Sequence, residues 1–260
     1  MVDKMYNFFV SLSLIFIING CVPTEPEHDE GEKAPKSAVP KDPFQAIPTA
    51  RITLSESAGM CSGVLILENL ILTAGHCFDL KSGKIPKAQA VSIVKSDGTM
   101  LNIQSGQIVQ SGEFFPAETH LKDIGFIKLA SGVTQGVSPL VIGTGVHALP
   151  ADTEMSFFGY SSNVWAKMTR TLWEPKAADI AVTLSEWRKW TVVADLKSTA
   201  SITEGDSGGP IVIKKQDQWI LVGVLQGPGV LGHYTFTPAE NALAEIAAKA
   251  GTSAKTLVAH

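Results

Sequence analysis

Residues 205–210 read Gly205-Asp206-Ser207-Gly208-Gly209-Pro210, and the chain then runs into Ile211-Val212-Ile213. The glycines around Ser207 permit a tight turn in which backbone N–H groups converge on the serine. The β-branched run behind the turn reads as a buried strand. Alone, a glycine-rich serine loop is usually just a turn. Its meaning depends on what surrounds it.

From Arg51 onward, short β-branched or aliphatic runs alternate with Gly, Ser, Asn and Asp clusters. Strands are predicted at 52–54, 63–67, 70–73, 91–94, 101–109 and 124–129, then at 154–158, 180–183, 191–194, 210–213, 219–225 and 233–236. About a dozen short strands with turns between them point to an all-β barrel or sandwich. The segment from Pro238 to Ala250 differs, with Leu243, Ile246 and Ala247 at helical spacing and Gly251 as a stop. One C-terminal helix is expected to close a β chain.

Composition removes several classes. The 260 residues are 45% hydrophobic and 18% charged, with a formal charge of −4, so no basic field holds nucleic acid nonspecifically. A chain this apolar folds. No apolar run reaches the roughly 20 residues that span a bilayer. His120, His147, His233 and His260 show no partner spacing that suggests a metal. Trp165, Trp173, Trp187, Trp190 and Trp219 read as core or surface anchors. No metal or cofactor is expected.

Two further motifs precede the serine loop: Leu72-Thr73-Ala74-Gly75-His76-Cys77 and Asp123-Ile124-Gly125-Phe126-Ile127-Lys128-Leu129. A serine hydroxyl is a weak nucleophile and needs a base within hydrogen-bond reach. Histidine has the pKa to take that proton and return it to a leaving amine. A carboxylate on the other ring nitrogen fixes the tautomer and stabilises the imidazolium.

In the order His, Asp, Ser, the three motifs resemble those of chymotrypsin-like (trypsin family) serine peptidases. The likeness runs from about Ile52 to the C-terminal helix. It implies two packed antiparallel six-stranded β-barrels with the site between them, Ser207 as nucleophile, His76 as base and acid, and Asp123 as orienting carboxylate. The amides of Gly205 and Ser207 would form the oxyanion hole. Cys61, in Met60-Cys61-Ser62-Gly63, and Cys77 match the family disulfide beside the histidine. The implied partners are protein or peptide substrates and proteinaceous inhibitors, with the chain a monomer.

Gly205-Asp206-Ser207-Gly208-Gly209 also satisfies the G-x-S-x-G elbow of α/β-hydrolases, a rival esterase reading. That fold places its acid and histidine after the serine, whereas only 53 residues, ending at His260, follow Ser207. A catalytically silent homologue used for binding is the other alternative, separable by reaction with a fluorophosphonate probe.

Departures from the family pattern are informative. Activated members begin Ile-Val-Gly-Gly, whose amine pairs with the residue equivalent to Asp206; here Lys36-Ser37-Ala38-Val39-Pro40 lacks that tetrapeptide. Asp206 is therefore expected either to find a local partner or to order only with substrate. Alignment puts Ser201 at the pocket floor, followed by Ile202. Gln226-Gly227-Pro228 forms one wall, and Gly232 and Tyr234 the other. Thr203 replaces a family cysteine, and Glu204 is expected to border the cleft. A neutral floor implies an uncharged P1 side chain.

The chain begins Met1-Val2-Asp3-Lys4, followed by an apolar segment from Phe8 to Ile18, the length of a signal peptide. Ile18-Asn19-Gly20-Cys21 resembles the lipobox of bacterial lipoproteins, which implies lipidation of Cys21. The expected organisation is a signal peptide at 1–20, a Pro- and charge-rich linker at 21–48, and a peptidase domain at 49–260. Localisation follows: exported from a bacterial cell and lipid-anchored facing the periplasm or exterior, with release by cleavage in the linker as a hypothesis. The membrane would be touched only through Cys21.

Overall fold

Alternation sets the first strand. In Thr49–Leu54 (β1), Ala50, Ile52 and Leu54 point inward, while Arg51 and Thr53 face water. The computed structural model describes residues 43–55, 59–79, 85–114, 121–160, 163–180, 182–228 and 233–258. The expected signal peptide, Cys21 and most of the linker lie outside the described residues, as do Gly232, His120 and His260.

The first sheet adds β2 (Met60–Leu67), β3 (Leu70–Thr73), β4 (Ala88–Val94), β5 (Met100–Gln104), β6 (Ile108–Glu113) and β7 (Gly125–Leu129). Its order is β5-β4-β1-β2-β3-β7-β6, antiparallel throughout. The two edge strands are consecutive in the chain, separated by a 3₁₀ turn at Ser105–Gln107. One bent segment thus forms both edges of the sheet. Sequence reading placed a single strand at 101–109, which the Ser105-Gly106 turn divides.

The second sheet contains β8 (Val141–Ile142), β9 (Glu154–Gly159), β10 (Val164–Thr171), β11 (Val192–Leu196), β12 (Pro210–Lys215), β13 (Gln218–Pro228) and β14 (Tyr234–Pro238). Its order is β12-β9-β10-β11-β14-β13-β8, and the pairing of β12 with β13 closes the ring. Six of these strands are antiparallel, as expected. The seventh, β8, is two residues long and runs parallel to β13. The fold is all-β with two barrel-like sheets and a short C-terminal helix.

Sequence and structure differ locally at three places. Ile180, Val182 and Thr183 form no strand, because Thr183 caps the helix α2 (Leu184–Trp190) and its Oγ1 accepts from Glu186 N at 3.1 Å. Cap chemistry outweighs the β-propensity of Ile180 and Val182. Strand β10 went unseen because its outward face carries Trp165, Lys167 and Thr169, leaving only Ala166 and Met168 buried. The C-terminal helix is shorter than predicted. A 3₁₀ turn at Ala239–Ala242 precedes α3 (Leu243–Ala250), and Gly251 ends it at φ +71°.

Three apolar clusters hold the domain. Ile52, Leu65, Val91, Ile103 and Ile127 fill the first barrel, and Met155, Phe157, Ile211, Val222 and Phe236 fill the second. A third cluster lies between them, joining Val64, Leu72 and Phe126 to Val212, Leu221, Val224 and Ile246. Ile47 also belongs to it and is fully buried, after a short helix α1 at Pro43–Ala46. The described structure therefore includes residues before 49, inside the stretch assigned to the linker.

Candidate active site

His76 follows β3 in a 3₁₀ turn at Gly75–Phe78, and Asp123 immediately precedes the short approach to β7. Strands β3 and β7 are paired, with Thr73 opposite Gly125, so the two motifs emerge side by side. The imidazole Nδ1 of His76 lies 2.8 Å from Asp123 Oδ2, and the His76 backbone N–H donates to Oδ1 at 2.7 Å. The imidazole is 35% exposed and Asp123 only 9%, so the ring has an open side while its carboxylate is sheltered. A Cβ on Gly75 would lie 3.3 Å from Asp123 Oδ1, a reason for glycine at that position. Cys77 is joined to Cys61 of β2, with Cα atoms 6.4 Å apart, as the resemblance implied.

The Ser207 loop is fastened to the same corner. Its carbonyl accepts from Ser62 N at 2.8 Å, and Gly208 N–H donates to Leu225 O at 2.8 Å. Gly208, at φ +80°, has no room for a side chain: a Cβ would lie 2.1 Å from Thr73 Oγ1 and 2.5 Å from Ala74 N. Gly205, at φ +90°, occupies the third position of a turn closed by Asp206 N–H on Thr203 O at 3.1 Å. A positive φ at that position is what a type II turn demands. Asp206 is fully buried, and its Oδ2 accepts from Thr203 N at 2.9 Å. That is a local partner of the kind the missing tetrapeptide left open.

The expected pocket residues are dispersed in their roles. Ser201 is exposed, and Ile202 is half-buried against the second-barrel core. Gln226 lies at a bulge between Leu225 and Gly227. Its amide donates to Thr237 Oγ1 at 2.7 Å and reaches Leu121 O at 3.5 Å, bracing the approach to Asp123. Pro228 pairs with Tyr234, and Gly227 with Thr235. Glu204 is exposed.

Two groups near His76 escaped the sequence reading. Glu113, the last residue of β6, is pushed up to about 7 by burial, by a hydrogen bond with Asp79 and by the charges of Asp79 and Asp123, with His76 opposing. Asp79 follows the histidine turn, its N–H on His76 O at 3.3 Å. The spacing His76-x-x-Asp79 was visible, but Glu113 reaches this corner only through the pairing of Glu113 with Gly125. Ser62 was also missed; it is fully buried and contacts both barrels.

Among the described residues no group of three or more His, Cys, Asp or Glu is arranged to hold a metal, and no helix is long and apolar enough to cross a membrane. A cavity of about 580 Å³ between α2 and β10 is lined by His147, Arg170, Trp173 and Arg188, and shares no lining residue with the His76 corner.

Two barrel-like sheets with a His–Asp pair and a serine turn at one corner define a chymotrypsin-like architecture. Residues 37–236 match the model of the trypsin family, and the chain belongs to that family of serine-type endopeptidases. A trypsin from Sarcophaga bullata is 24% identical over 200 residues, covering 73% of this chain and 75% of that protein. The fold resembles the crystal structure of a scabies mite inactivated protease paralogue at a TM-score of 0.58, with 18% identity. The match covers 82% of this chain and 98% of that one.

Proposed function

We propose that this serine endopeptidase cleaves peptide bonds through Ser207, His76 and Asp123 by way of an acyl-enzyme. The observation that carries the reading is the doubly bonded Asp123 carboxylate, which takes both Nδ1 and the backbone N–H of His76. That arrangement favours the tautomer with its proton on Nδ1, leaving Nε2 as the base. Ser207 Oγ attacks the scissile carbonyl carbon as Nε2 accepts the hydroxyl proton. The amides of Gly205 and Ser207 then receive the developing oxyanion. His76 returns the proton to the leaving amine as the C–N bond breaks. Water, deprotonated by the same nitrogen, releases the acid.

The disulfide supports action in an oxidising compartment outside the cytosol. Protein or peptide substrates follow from the family. The neutral side chain of Ser201 supports an uncharged P1 residue, and a peptide library tests it, since a preference for Arg or Lys would overturn that specificity. Lipidation of Cys21 remains part of the proposal, with mass spectrometry of the mature N-terminus as its check. The main experiment is labelling by a fluorophosphonate. Wild-type protein should react and Ser207→Ala should not; an unreactive, disulfide-intact wild type would sink the mechanism.

A further inference from the structure

One buried hydroxyl ties the serine turn to both barrels. Ser62 belongs to β2, has no solvent exposure, and donates from Oγ to the Gly205 carbonyl at 3.0 Å. The same oxygen accepts the Tyr160 N–H at 2.9 Å, from the residue following β9. Its backbone N–H holds the Ser207 carbonyl at 2.8 Å, and its own carbonyl accepts from Thr73 Oγ1 at 2.6 Å. Four contacts therefore converge on Ser62. They come from the serine turn, from the strand before His76 and from the second barrel.

The hydroxyl matters because of the residue it holds. Glycine has the widest backbone freedom of any residue, and Gly205 lies at φ +90° in a four-residue turn. On one side the turn is pinned by Asp206 Oδ2 accepting from Thr203 N. On the other, Ser62 Oγ pins the peptide plane between Gly205 and Asp206. The Gly205 amide, one of the two oxyanion donors in the reading above, lies between these clamps. A hydroxyl suits the place because it can donate to the carbonyl while accepting from Tyr160. Alanine would leave both of those buried groups without this partner.

We propose that Ser62 is a positioning residue for the oxyanion hole, orienting the Gly205 donor from the first barrel without touching substrate. This rests on the serine peptidase reading. Ser62→Ala keeps both backbone bonds and removes only the hydroxyl, so it isolates the effect.

The test compares wild type, Ser62→Ala and Ser62→Thr in kcat, KM and affinity for a peptide trifluoromethyl ketone, whose serine adduct carries an oxyanion. In the alanine variant kcat should fall about 10- to 100-fold, less than or near the loss from deleting a donor outright. Affinity for the ketone should fall in parallel, and KM should barely move. The threonine variant, which retains a hydroxyl, should recover most of the loss. If the alanine variant does not fold, Ser62→Cys keeps the shape, weakens both bonds and should show the same pattern. A folded alanine or cysteine variant with wild-type kcat and ketone affinity overturns the inference. So does a change confined to KM. Wild type that fails to react with a fluorophosphonate overturns the underlying peptidase reading instead, which keeps the two failures distinct.

Discussion

Asp123 holds His76 by two atoms at once, the backbone N–H on Oδ1 at 2.7 Å and the ring Nδ1 on Oδ2 at 2.8 Å. The backbone bond constrains what a substitute can do. In Asp123→Asn the amide oxygen must stay on the His76 N–H, because the NH₂ cannot accept. The NH₂ then faces Nδ1 and forces the ring proton onto Nε2, the nitrogen that acts as base in the proposed mechanism. We expect kcat to fall about 10⁴-fold. Steady-state kinetics with thermal melts check it, since the fold should be almost unaffected.

Glu113 makes stability depend on pH in an unusual direction for a carboxylate. Its folded pKa is about 7, above the ordinary 4.5, so its protonated form is favoured by folding. The contribution is present in full below about pH 4.5 and is lost as pH rises through 7. Glu113→Gln should therefore gain stability relative to wild type at pH 8 and lose that advantage near pH 4.5. Solvent screening limits the difference to on the order of 1 kcal/mol. Urea melts at the two pH values measure it.

Gly159 backs the buried Asp206. A Cβ there would lie 2.5 Å from Asp206 Oδ1 and 2.9 Å from Phe157. Gly159→Ala should destabilise the domain by about 1–3 kcal/mol through overpacking. It should also slow fluorophosphonate labelling, because Asp206 must move and the Thr203–Asp206 turn with it. Unchanged labelling in a folded variant would show that the turn does not rely on that carboxylate.

The Cys61–Cys77 bridge spans a sequence separation of 16 and anchors the histidine turn to β2. Replacing both cysteines by serine should cost about 3 kcal/mol in the chain-entropy picture. Urea midpoints of the paired variant and the oxidised wild type provide the comparison. Activity should fall further than stability alone explains, since His76 directly precedes one of the bridged residues.

Much of the site was legible because its motifs are local. His76, Asp123 and the 205–210 turn each lie in one short string of letters whose chemistry can be argued without coordinates. The strands with continuous apolar runs, such as Leu70–Thr73, were equally plain. β10 was not, because half of its face is polar and only its period of two reveals it. The 180–183 error came from weighing β-propensity above the Thr183-x-x-Glu186 cap. Ser62 and Glu113 were invisible for a different reason. Their importance comes from partners 143 and 34 residues away in the chain, Gly205 and Asp79, which only the register of the sheets brings near.

The apolar cluster between the barrels has a consequence for the domain as a physical object. Val64, Leu72 and Phe126 from one barrel and Val212, Leu221 and Val224 from the other are all 2% exposed or less. Neither barrel has a finished surface on that side. Separated halves would each expose an apolar wall of the kind that drives aggregation. Heat should melt the domain in one transition, not two. The His76 turn, Asp123 and the serine turn are thus carried by strands of one shared interior, and parting the barrels would mean unmaking the core.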